Sequence, residues 1–154
     1  MRERVRACIG LGANLGDAAE QVRQAALALA QAEGCEELTL SPLYRTAPHE
    51  ATGPDYVNAV ACLQTRLTAP ALLQVLQSLE NQAGRERPYH HAPRTLDLDL
   101  LFYGEAHIDS PHLQVPHPRW MTRAFVLYPL RDVCPHRVSD DLLSSVSAQP
   151  IQRL

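Results

Sequence analysis

Residues 38–46 and 56–65 are both rich in strand formers, and only the nine residues 47–55, broken by Pro48 and Gly53-Pro54, lie between them. No helix fits in so short a segment, because proline removes backbone donors and glycine loosens the chain. The regular alternation of strand and helix that builds a parallel sheet is therefore broken at this point.

The remaining segments fall into place around that pair. Val5 to Leu11 is a short apolar run, read as a buried strand, that leaves through Gly10-Leu-Gly12-Ala-Asn-Leu-Gly16. Asp17 and Glu20 have the spacing of a capping box, with Glu20 reaching back to the Asp17 cap. Val22, Ala25, Ala26, Leu29 and Ala32 then recur at helical spacing until Gly34 supplies a stop. A second helix opens at Thr68-Ala-Pro70, carries Leu72, Val75, Leu76, Leu79 and Ala83 on one face, and ends at Gly84. Thr95 to Tyr103 is a fourth strand, and Ala124 to Leu130 a short helix before Pro135. The order strand, helix, strand, strand, helix, strand predicts a ferredoxin-like α+β core. Its sheet is mainly antiparallel, and a C-terminal extension covers it. The 154 residues suit one domain, 1–154, with a single core.

Composition narrows the function. The formal net charge of −3 argues against a general nucleic-acid binder, which would present a basic surface. No apolar run approaches the ~18 residues of a membrane span, and the charged start predicts no secretory signal. Cys8, Cys35, Cys62 and Cys134 lie far apart with no C-x-x-C pair, so they read as reduced thiols in a cytosolic protein, and no zinc site is expected of them. All 14 basic residues are arginine. Compositional drift accounts for that, yet it excludes a P-loop lysine and leaves any anion to guanidinium groups. The glycine-rich turn at 10–16 has its third glycine one place too late for a dinucleotide fingerprint and lacks a G-K-[ST] ending, so it reads as a tight turn feeding Asp17.

The chemistry concentrates in Pro93-Arg94-Thr95-Leu96-Asp97-Leu98-Asp99-Leu100. Residues two apart in a strand share a face, with Cα atoms ~6.6 Å apart. Asp97 and Asp99 thus project together while Leu96, Leu98 and Leu100 turn to the core. Adjacent carboxylates repel, and one or two divalent cations would relieve the repulsion. An ordinary solvent-facing side of an antiparallel strand would look the same. Arg85, Arg87, Arg94 and Arg123 add the guanidiniums that a polyphosphate requires beside such cations. His90 and His91 are adjacent and splay apart in an extended chain, a poor metal pair. His117, within Val115-Pro-His-Pro118, reads as a donor to a ligand phosphate or a structural loop residue.

Gly12-Ala-Asn-Leu-Gly-Asp17, Tyr44-Arg-Thr-Ala-Pro48, Pro54-Asp-Tyr-Val-Asn58, Gly84-Arg-Glu-Arg87, Ala92-Pro-Arg-Thr-Leu-Asp-Leu-Asp99, Val115-Pro-His117 and Arg123-Ala-Phe-Val-Leu-Tyr-Pro129 occur in the order and form that resemble the 6-hydroxymethyl-7,8-dihydropterin pyrophosphokinase family. The resemblance spans residues 5 to about 135. It implies a folate-pathway enzyme that transfers pyrophosphate from ATP to the pterin hydroxymethyl group and releases AMP. By the same resemblance Asp97 and Asp99 hold two Mg²⁺ ions, with Asp97 also near the substrate hydroxyl. Thr46, Pro48, Tyr56, Asn58 and Phe125 line the pterin pocket. Glu80, Leu100, His112 and His117 lie near the nucleotide, and Arg85, Arg87, Arg94 and Arg123 near its phosphates, with Arg85 and Arg94 counted in the catalytic set. Loops at 47–55 and 85–93 are expected to close over the substrates. Ala47, His49 and His112 stand where the family often has proline, an aliphatic residue and arginine. The run Arg87-Pro-Tyr-His-His-Ala92 replaces a common Arg-Trp pair, leaving Tyr89, His90 or His91 as the lid residue. The expected partners are the two small-molecule substrates, with no nucleic acid, no membrane, and a monomeric chain. A D-x-D nucleotidyl- or glycosyltransferase and a non-catalytic ferredoxin-like nucleotide-binding domain are the competing readings.

Overall fold

A computed structural model describes residues 2–47, 54–84 and 96–154. Among the described residues the main elements are β1 (Val5–Ala13), α1 (Ala18–Gln31), β2 (Cys35–Leu40), β3 (Tyr44–Thr46), β4 (Tyr56–Thr65), α2 (Ala69–Gly84) and β5 (Asp97–Tyr103). Beyond them come β6 (Ile108–Asp109), β7 (Gln114–Val115), α3 (Ala124–Val133), α4 (Asp140–Ser145) and β8 (Gln152–Arg153). The large sheet runs β5-β1-β4-β3-β8, with β2 also on β4, and its strand pairings among the described residues are all antiparallel. Since β2 and β3 together form the second strand, this is the order of the expected ferredoxin-like α+β fold. β8, from the C-terminal extension, adds a strand against β3.

The sequence pattern suggests one strand over 38–46, but the structure breaks it into β2 and β3. Pro42 has no N–H to give the ladder, and the chain leaves the strand at Ser41-Pro42-Leu43. Ser41 repairs the gap: its N–H donates to Val60 O at 2.9 Å, and its Oγ accepts from Val60 N at 3.0 Å. The capping box of α1 is half formed. Asp17 Oδ1 accepts from Glu20 N at 3.2 Å, while the Glu20 carboxylate is taken by Gln24 Nε2 at 2.8 Å.

The two faces of the sheet are covered differently. Ala7, Ile9, Leu11, Val57, Ala59, Ala61, Leu63, Leu98 and Leu100 pack with Val22, Leu29, Leu72 and Leu76 of α1 and α2. On the opposite face Cys8, Val60, Cys62, Leu101 and Phe102 pack with Val126, Leu127 and Leu130 of α3. A helix-interior proline costs ~3 kcal/mol, and α3 carries Pro129. Burying Val126, Leu127 and Leu130 at ~1.5–3 kcal/mol each outweighs that cost. A register shift between Cys8 and Ile9 opposite β5 lets Leu101 and Phe102 both enter this second core.

Candidate functional site

The site lies where the α3-covered face gives way to solvent, because two glycines there leave the sheet without side chains. Gly12 of β1 pairs with Asp97 on one side and Asn58 on the other, and Asn58 pairs with Tyr44. One register step along, Gly10 pairs with Asp99 and Val60. Gly10 and Gly12 therefore belong to β1 and not to the turn that the glycine spacing suggested. Of that run, Gly16 alone takes a positive φ, of 60°.

Asp97 and Asp99 are exposed while Leu96, Leu98 and Leu100 are buried, so the period-two expectation holds. Two hard oxygen donors on one open face, beside side-chain-free glycines, form a donor set suited to Mg²⁺. β5 is the edge of the sheet, and its outward backbone groups need other partners. Glu80 of α2 supplies one: its Oε2 accepts from Leu98 N at 2.8 Å. By the strand period the N–H and C=O of Leu100 point the same way, toward the edge.

A cleft of about 420 Å³ opens at that edge, lined by Leu73, Asp99, Leu100, His112, His117 and neighbours from the β6–β7 connection. Its size lies in the range of ~300–1,000 Å³ typical of small-ligand sites. His117 is held at the mouth by its N–H bond to Leu101 O at 3.0 Å. Its Nδ1 accepts from Arg119 N at 3.1 Å, which leaves the ring proton on Nε2. Burial pushes the His117 pKa down, Asp99 opposes that shift, and Arg123 and Arg119 reinforce it. The ring is thus a neutral N–H donor near pH 7. Arg123 stands 5.3 Å over the Phe125 ring, a cation–π contact that fixes both at the start of α3.

On the other side of Gly12, Asn58 is 6% exposed and its Nδ2 donates to Thr46 Oγ1 at 3.1 Å. Thr46 pairs in register with Tyr56, and Tyr56 shares the face of Asn58. Thr46, Tyr56 and Asn58 are thus brought together, as are Asp99, Leu100, His112 and His117 along the cleft. Pro48, Arg85, Arg87, Tyr89, His90, His91 and Arg94 lie outside the described residues. Sequence patterns missed Tyr44, whose hydroxyl donates to Asp132 of α3 and pins β3 at the end of the Asp97–Gly12–Asn58 row. In the sequence Tyr44 stands out only as a strand former and as the first residue of Tyr44-Arg-Thr-Ala-Pro48, with no role of its own. Its partner is 88 residues away, a distance no local pattern spans.

An antiparallel ferredoxin-like sheet with a carboxylate pair on its open face and a ligand cleft at its edge defines an α+β ligand-processing class. A family profile described as 7,8-dihydro-6-hydroxymethylpterin-pyrophosphokinase (HPPK) matches residues 8–135, and the chain belongs to this pyrophosphokinase family. It is 41% identical over 156 residues to a Pseudomonas aeruginosa 2-amino-4-hydroxy-6-hydroxymethyldihydropteridine pyrophosphokinase, covering 97% of this chain and 96% of that one. A Haemophilus influenzae protein of the same name is 40% identical over 130 residues, covering 84% and 81%. A Plasmodium falciparum HPPK-DHPS crystal structure superposes with a TM-score of 0.74 at 15% identity. The match covers 96% of this chain and 46% of that one, so the chain spans less than half of that solved protein and the likeness speaks for the fold. The chain is a pyrophosphokinase of folate biosynthesis.

Proposed function

We propose that residues 1–154 act as one monomeric, cytoplasmic domain that transfers the β,γ-pyrophosphate of ATP to the hydroxymethyl group of 6-hydroxymethyl-7,8-dihydropterin, releasing AMP. The observation that carries this reading is the register row Asp97–Gly12–Asn58. Neighbouring strands lie ~4.8 Å apart, so an amide that reads a flat heterocycle and a carboxylate that holds a phosphate-bound cation are separated by ~10 Å. That span suits a pterin ring at Asn58 and Tyr56 with its hydroxymethyl arm reaching Asp97.

Tyr56 and Phe125 would supply aromatic walls for the ring, Asn58 and Thr46 hydrogen bonds to its edge, and Pro48 a further wall. Leu100 would offer backbone donor and acceptor groups to the adenine, in the cleft that His112 and His117 border. Arg123, with Arg85, Arg87 and Arg94, would take up phosphate charge by bidentate contacts. Asp97 and Asp99 would hold two Mg²⁺ ions, which when bound offset polyphosphate charge and align the phosphates. The hydroxymethyl oxygen attacks the β-phosphorus, the bond from that phosphorus to the oxygen bridging to the α-phosphorus breaks, and AMP leaves with the electron pair. The hydroxyl proton passes to solvent. The protein's part is to hold the two reactants in line and to keep bulk water from the phosphorus.

The test is product analysis of the wild-type chain given ATP, Mg²⁺ and the pterin alcohol. AMP appearing in step with pterin pyrophosphate supports the reading. Release of inorganic pyrophosphate would instead mark a nucleotidyltransferase, and ATP binding without turnover a regulatory domain.

A further inference from the structure

Sequence spacing gave no reason to group the cysteines, yet the fold brings three of them together on the face opposite α1 and α2. Cys8 of β1 and Cys62 of β4 are direct cross-strand partners, with Sγ atoms 3.1 Å apart. Cys134, the C-cap of α3, completes a triangle in which all three sulfurs lie within 4.8 Å of one another. Their residues are 1%, 2% and 0% exposed. A lone buried cysteine is an ordinary small core residue, whereas three converging sulfurs place three metal-type donors at one point.

A fourth donor stands beside them. In Cys134-Pro135-His136 the ring nitrogens Nδ1 and Nε2 lie 3.6 and 3.7 Å from Cys134 Sγ. Zinc bonded to sulfur at ~2.3 Å and to imidazole at ~2.0–2.1 Å in a tetrahedron sets sulfur–nitrogen edges of ~3.6 Å and sulfur–sulfur edges of ~3.8 Å. The Cys134–His136 separation already has that value. The Cys8–Cys62 pair would open by ~0.7 Å, a side-chain rotation. His136 is exposed on the Cys134 side of the triangle, but its ring nitrogens do not lie within 4.8 Å of all three sulfurs, so the ring must swing inward to close the shell.

The charges fit as well. Three thiolates and a divalent cation carry a net charge of −1. The Arg6 guanidinium balances it: Arg6 lies beside Cys62, with Nη2 donating to Val133 O at 3.0 Å. The hydrogen bond with Cys62 and then burial push the Cys8 thiol up, and burial with the nearby Cys62 sulfur pushes Cys134 up. The Cys8 thiol and Arg6 hold Cys62 down to about 7. A surface cavity of about 260 Å³ lined by Arg6, Glu37, Thr39 and Cys62 gives an ion a route inward.

We propose that Cys8, Cys62 and Cys134, completed by His136, form a binding site for one thiophilic cation of the Zn²⁺ class, which ties the end of α3 to β1 and β4. It is built from soft donors and stands apart from the hard carboxylate pair Asp97 and Asp99.

Cobalt titration of the full chain tests this, with thiols kept reduced by a phosphine under anaerobic conditions and excess Mg²⁺ present. The expected result is one equivalent of Co²⁺ giving sulfur-to-cobalt charge-transfer absorption and tetrahedral d–d bands, both displaced by one equivalent of Zn²⁺. Oxygen donors produce no such charge-transfer band, so the carboxylate pair cannot mimic it. Cys134→Ala should abolish the band, His136→Ala should weaken Zn²⁺ binding about tenfold, and Cys35→Ala should change neither. The wild-type titration decides the matter even if a buried variant folds poorly. Absence of the band in wild type would overturn the proposal, as would a band that survives Cys134→Ala.

Discussion

A methyl carbon placed on Gly12 would stand 2.9 Å from Oδ1 of Asn58. The absent side chain is what lets Asn58 lie over β1 and reach Thr46. Gly12→Ala should push the Asn58 amide aside and raise the KM for the pterin about tenfold, since a reader left unpaired discriminates poorly. The KM for ATP should change little. Steady-state kinetics with each substrate varied in turn checks the split, and equal rises in both would refute it.

Glu80 serves the edge strand first. Removing its carboxylate leaves the buried Leu98 N–H without its 2.8 Å acceptor. Glu80→Ala should cost ~1.5–3 kcal/mol in urea unfolding, the range for a hydrogen bond to a charged group. Glu80→Gln keeps an acceptor and should lose less. The KM for ATP should rise in step with the stability loss, because the cleft wall is β5 itself.

His117 presents Nε2–H because Arg119 N occupies Nδ1. His117→Ala should raise the KM for ATP about tenfold, the cost of ~1.4 kcal/mol of lost donor interaction. Pterin affinity, measured by equilibrium binding without nucleotide, should stay as in wild type.

Tyr44 gives a pH signature. Burial and then the bond to Asp132 push its phenol up from 10.0 to about 12. A group protonated more firmly in the fold than in the unfolded chain stabilises below the unfolded value and loses that contribution as pH rises through the folded one. Thermal stability should therefore fall between pH 10 and 12 more steeply in wild type than in Tyr44→Phe. At pH 7 Tyr44→Phe should itself cost ~1.5–3 kcal/mol, the range for a hydrogen bond to a charged acceptor. Parallel melting profiles in the alkaline range would contradict the assignment.

Much of this was legible in the sequence wherever a local period carried it. The D-x-D alternation put both carboxylates on one face, Tyr56 and Asn58 shared theirs for the same reason, and the short 47–55 connection selected the antiparallel order. The failures have a common physical source. Gly10 and Gly12 read as turn because glycine usually signals one, yet they are strand residues kept bare for neighbours on β4 and β5. Pro42 broke a strand whose apolar pattern ran on, since a missing donor outweighs side-chain preference. Cys8, Cys62 and Cys134, like Tyr44 and Asp132, meet only through tertiary packing, which local spacing does not encode.

Asp97 and Asp99 carry the central claim, and AMP formation from ATP and the pterin alcohol tests it most directly. Wild type should require Mg²⁺, while Asp97→Ala and Asp99→Ala should each lose more than about a thousandfold in kcat, ~4 kcal/mol of transition-state stabilisation. Their melting temperatures should stay near that of wild type, because both side chains are exposed on the open face. AMP production by either variant within about tenfold of wild type would contradict the account.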